Sequence, residues 1–105
     1  MRVYHGCPSP KNMRRCREAA PSFTHGACWT PEKMTPHDWP FFVDNGVYSG
    51  SFDHAEWVEL LDSVDEKMSH PPDFVVLPDV FNDAEATIEQ HRRFVSDVVD
   101  RGMRP

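Results

Sequence analysis

Two carboxylates stand at matched places in this chain. The apolar run Phe41-Phe42-Val43 ends on Asp44, and the run from Phe74 to Pro78 ends on Asp79. A carboxylate at the end of a buried strand is costly to desolvate unless a hydrogen-bond donor meets it. A ligand carrying N–H groups supplies such donors, because an ionised Asp only accepts and can take two neighbouring N–H groups at once. The competing reading is local. An Asp after a strand can hold a turn, and Asp44-Asn45-Gly46 is a turn composition in its own right. Either account serves for one residue alone; two acids at the same place relative to a strand favour a shared ligand. Gly46 lets a flat molecule approach the backbone. Tyr48 offers a ring on which a base can stack, a contact of ~1–3 kcal/mol in nucleic-acid binders.

Other chemistry is less clearly written. Cys7, Cys16 and Cys28 are odd in number and widely spaced, which is not a disulfide framework, and no C-x-x-C occurs. His5-x-Cys7 and His25-x-x-Cys28 have metal-like spacing, but a thiol beside an imidazole is the preferred reading, and neither a metal nor a cofactor is expected. His54 and His91 fall on expected helices and His70 precedes Pro71-Pro72, so surface or capping roles are expected for the histidines. Two strand-end acids could also serve a magnesium-assisted hydrolase, but no Gly-rich phosphate loop accompanies them.

The elements that must position these acids follow from pattern. Residues 1–6 read as a strand, and a basic helix opens near Ser9 and stops before Pro21. Residues 22–29 read as an extended segment, and the Pro-rich stretch 30–40 as irregular loop. Phe41–Val43 form a compact strand. A helix then opens at Asp53, with Glu56 completing a capping box. Val58, Leu61, Val64 and Met68 make its apolar stripe, widened by Trp57 and Leu60. The segment 73–78 is apolar on successive residues, as in a strand covered on both faces. Asn82 is expected to open a last helix whose buried stripe is Ile88, Phe94, Val95 and Val98, with Gly102 as its left-handed C-terminal cap. Alternating strands and helices imply parallel strands with helices outside. In such folds ligands gather at the carboxyl ends of the strands, where Asp44 and Asp79 both lie.

Length and composition set bounds. A chain of 105 residues is one domain. With 39% hydrophobic and 27% charged residues it reads as globular. No apolar stretch nears membrane-span length and no signal-peptide core opens the chain, so a cytoplasmic location without membrane contact is expected. Residues 1–35 hold six basic against two acidic side chains, and the rest hold five against fifteen. The basic end could meet phosphates, though a solvated helix face explains it as well.

The stretch FFVDNGVYSG resembles the Asp-Ser-Gly-Gly-Phe/Tyr motif of the tRNA-guanine transglycosylase family. FVVLPDVFNDAEATIEQHRRF resembles a later strand and helix in its deazapurine DNA-modification members, and MRVYHGCPSP is similar to their first strand and loop. The resemblance covers most of the chain. It implies a partial (β/α)8 barrel, roughly the N-terminal half, in a single incomplete domain spanning 1–105. It also implies exchange of guanine for a 7-deazaguanine in nucleic acid, DNA more than tRNA, by nucleophilic covalent catalysis. By position, Asp44 matches the carboxylate that assists proton transfer. Asp79 matches the one that reads the guanine N–H edge, Tyr48 the stacking ring, and Gly46 with Asn45 the base slot. The chain departs from the motif at Asn45 and Val47. The family's nucleophilic Asp belongs to a later strand than any here, so the chain alone is expected to bind a base without turning it over. A half barrel leaves edges that invite a second copy or a second polypeptide. The alternative is a non-catalytic interaction module or a truncated remnant.

Overall fold

The computed structural model describes residues 1–30, 34–46 and 52–105. Among the described residues six elements follow one another: β1 (Arg2–Gly6), α1 (Pro10–Ala19), β2 (Thr24–Trp29), β3 (Phe41–Val43), α2 (His54–Lys67) and α3 (Ala84–Val99). The fold class is α/β. The three strands form one sheet in chain order, β1-β2-β3, and both pairings are parallel. Ala27 faces Phe41 and Trp29 faces Val43 across the second pairing.

The segment beginning at Asp73 runs alongside β3 as a fourth parallel line. Asp73 N donates to Phe41 O at 2.7 Å, and Val76 N to Val43 O at 2.8 Å. Only one bridge forms, Val43 with Val75, so this is an extended segment and not the full strand expected over 73–78. The reason is local. β3 is three residues long, and the outward N–H of Val75 goes to Arg104 O at 2.7 Å instead of to a ladder.

Alternation along the strands divides the sheet into two unlike faces. Ala27, Trp29, Phe41, Val43 and Val75 point to the side that carries the core, where Met13 of α1, Trp57, Leu60, Leu61 and Val64 of α2, and Phe94 and Val98 of α3 are buried with them. His54–Asp97 at 2.9 Å and Arg101–Asp62 at 2.8 Å join α2 to α3 and the turn that follows it. The other face carries Tyr4, Cys28, Phe42 and Phe74, all half-buried. It is therefore not covered as fully as the apolar run at 74–76 suggested. Phe42 and Phe74 stack at 4.6 Å, and Tyr4 meets Phe42 edge-on at 4.8 Å.

Each helix begins on a side-chain cap. Ser9 accepts from Asn12 N, Asp53 from Glu56 N, and Asp83 from Ala86 N. The last of these corrects the expectation at Asn82, which has φ +55 and turns the chain into the cap one residue early. Ile88 is a second correction: it is 50% exposed and does not belong to the buried stripe. Gly102 adopts φ +70, and Met103 N returns to Val98 O at 3.1 Å, which closes α3 as a left-handed cap does.

Candidate binding site at the strand ends

Asp44 leaves β3 with its backbone still in the sheet, its N–H donating to Trp29 O at 2.8 Å. It is half-buried, and its Oδ1 accepts from the following amide, Asn45 N, at 2.8 Å. The local turn role is therefore real, and it uses one carboxylate oxygen. Asn45 is 4% exposed. Its Nδ2 donates twice, to Leu77 O at 2.9 Å and to Asp79 Oδ1 at 3.0 Å. Those two bonds tie the end of β3 to the end of the segment beside it. Asp79 is exposed and follows the buried Pro78. Gly46 has φ +79, a conformation that glycine adopts without strain.

Asp44, Asn45, Gly46 and Asp79 thus gather at one end of the sheet, the carboxyl end. Asp44 and Asp79 are linked through Asn45, not directly. Asn45 is expected in the base slot although it departs from the motif; here its two amide protons join the end of β3 to the segment beside it. Tyr48 lies outside the described residues. Two clefts lined by described residues lie around Val64, His70 and Met103 and around Arg17, Phe23 and His25.

Beside Asp44 stands Cys28, on the same face of the sheet. Burial pushes its thiol up to about 11, and the charges of Asp44 and Cys7 push the same way. Cys28 therefore stays protonated near neutral pH and offers Asp44 a neutral neighbour, not a competing anion. Cys7 follows β1 with φ 40, and its Sγ lies 3.7 Å from Thr30 Oγ1.

The metal-like spacings do not converge. On a strand, His25 and Cys28 fall on opposite faces, and among the described residues no group of three His, Cys, Asp or Glu side chains is placed to hold a metal ion. Among the described residues no helix is long and apolar enough to cross a membrane. Of the histidines read as surface or capping residues, His54 is exposed, whereas His70 makes a partly buried bond to Trp39 O. His5, His25 and His37 also make partly buried hydrogen bonds.

Comparison with family models, with curated proteins and with solved structures finds no match to this chain.

Proposed function

We propose that the carboxyl end of this sheet is a purine-binding mouth of the guanine/7-deazaguanine exchange class. Its nucleic-acid substrate is DNA more than tRNA, and the chain supplies recognition and proton-transfer groups without the nucleophile. The observation that supports this reading is the Asn45 bridge to Asp79, which joins the end of β3 to the end of the parallel segment beside it. In this reading the Asp79 oxygens accept from the N1–H and 2-amino group of a guanine-type base. The Asp44 oxygen not engaged by Asn45 N exchanges a proton with the base, and Tyr48 stacks on it.

The reading extends to the fold, taken as part of a (β/α)8 barrel. Its strands succeed one another in chain order. Arg104 O also accepts the outward N–H of Val75, as a next parallel strand would. A second copy or a second polypeptide would complete the wall, and only a different polypeptide would bring the nucleophile.

Thermal denaturation tests the site. Guanine or a 7-deazaguanine should raise Tm, whereas adenine, which lacks the N1–H and 2-amino donors, should not. Asp79→Ala should abolish the response with the ligand-free Tm little changed. A response that survives this substitution would remove Asp79 from the site. No response in the parent chain would favour the interaction module.

A further inference from the structure

On the opposite face of the sheet from Asp44, three elements bring a thiol and two imidazoles together. Cys16 comes from α1, His5 from β1 and His25 from β2. Cys16 Sγ lies 3.8 Å from His5 Nδ1. His5 Nε2 lies 2.8 Å from His25 Nδ1, and His25 Nε2 lies 2.8 Å from Ala20 O. The two rings stack, with centroids 5.1 Å apart and planes inclined by 11°.

The far end of this chain dictates its protons. A carbonyl oxygen only accepts, so neutral His25 carries its proton on Nε2 and presents a lone pair at Nδ1. His5 must then donate from Nε2, which leaves its Nδ1 as an acceptor. The donor facing that lone pair is the Cys16 thiol. Ala20 caps α1, its N–H bonded to Cys16 O, so one helix end fixes both ends of the relay. His25 is 5% exposed, and Cys16 is half-buried. A base held in one tautomer by a second group, its lone pair turned to a thiol, is the arrangement that activates a nucleophile. The other thiols lack it: Cys7 is exposed beside Thr30, and Cys28 has no imidazole partner among its described contacts.

We propose that Cys16 is a nucleophilic thiol for exchange with small disulfides, with His5 as its base and His25 as a positioning residue. Cys16 passes its proton to His5 Nδ1, and the thiolate attacks one sulfur of R–S–S–R. The Cys16–S–S–R bond forms as the original S–S bond breaks. The departing thiolate takes the proton back from His5 and leaves as R–SH. The disulfide is the only co-reactant: the Cys16 sulfur is oxidised as the departing sulfur is reduced, and the sulfur between them stays at the disulfide level. This site does not rest on the base-binding reading.

The test is the rate of mixed-disulfide formation at each cysteine, resolved by peptide mass spectrometry, with bis(2-hydroxyethyl) disulfide near neutral pH. Cys16 should react faster than the more exposed Cys7. His5→Gln should slow Cys16 by about 100-fold, the scale of general-base assistance, and leave Cys7 unchanged as an internal control. His25→Leu should slow Cys16 and shift the pH at which its rate is half-maximal. Should His5→Gln fail to fold, the parent chain in urea replaces it, and unfolding should bring the Cys16 and Cys7 rates together. The proposal is overturned if Cys7 outpaces Cys16 in the folded chain. It is equally overturned if the Cys16 rate is indifferent to His5→Gln or to unfolding.

Discussion

His37 lies between two tryptophans, its ring stacked on Trp29 at 5.5 Å and on Trp39 at 4.4 Å. Trp29 Nε1–H donates to its Nε2 at 2.8 Å, and Trp39 N–H approaches its Nδ1 at 3.1 Å. A neutral imidazole accepts at only one of its two nitrogens, and a second ring proton would leave it no acceptor for either N–H. Burial first, and the neighbouring His70 second, lower its pKa from 6.5 to about 4, with Asp38 acting weakly the other way. The folded pKa is below the unfolded one, so between these values the unfolded chain binds the proton better. This part of the stability is fully present above about pH 6.5, falls as pH drops, and is gone below about 4. Melting curves across that window should show the decline in the parent chain and a shallower one in His37→Phe; equal slopes would contradict the assignment. Trp39 and Phe41 lie close to His37 in sequence, but nothing in that spacing announces that they enclose its ring. The Pro-rich stretch 30–40 reads as loop, and it is the tertiary contact with Trp29 and Phe41 that buries the ring. Asp44 and Asp79 were legible because a strand end is visible in an apolar run. The Asn45 bridge was not, since Asn45 and Asp79 lie 34 residues apart.

Elements meet where side chains are missing as well as where they are present. A Cβ at Gly26 would sit 2.7 Å from Pro40 O and 3.0 Å from Tyr4 Cδ1. The gap lets Tyr4 lie across β2 and reach Phe42. Gly26→Ala should therefore cost about 1–3 kcal/mol, as overpacking does, read as a lower urea midpoint; an unchanged midpoint would mean the strands are looser than described. The caps give a finer test. Asp83→Ala should cost about 1 kcal/mol through the lost bond to Ala86 N, whereas Asn82→Gly should cost nothing, because Asn82 already sits at positive φ. The reverse ranking would restore Asn82 as the cap. Helix positions were readable from period and cap chemistry. The one-residue slip at Asn82 and the exposure of Ile88 were not, because two adjacent cap-competent residues and a stripe with one surplus apolar position leave the pattern degenerate.

On the scale of the whole molecule, the sheet bends. Tyr4 on β1 donates its hydroxyl to Asp73, and Arg2 reaches the same carboxylate at 2.8 Å. Flat, those backbones would lie three strand spacings apart, ~14 Å at ~4.8 Å each, beyond what a tyrosine and an aspartate span. The sheet is therefore concave on the Tyr4–Phe42–Phe74 face and convex under the helices. The alternation of elements predicted parallel strands; the curvature had no local signal, because it depends on a contact across 69 residues. The proposed mouth lies at the carboxyl ends of β3 and the segment beside it, the other end of that segment from the Tyr4–Asp73 contact. The direct measurement is a ¹⁵N titration of the folded chain with a 7-deazaguanine. The account predicts saturable shifts of the Asn45 side-chain amide and the Gly46 backbone amide, lost in Asp79→Ala. Shifts confined to the helices, or none at these two residues, would contradict it.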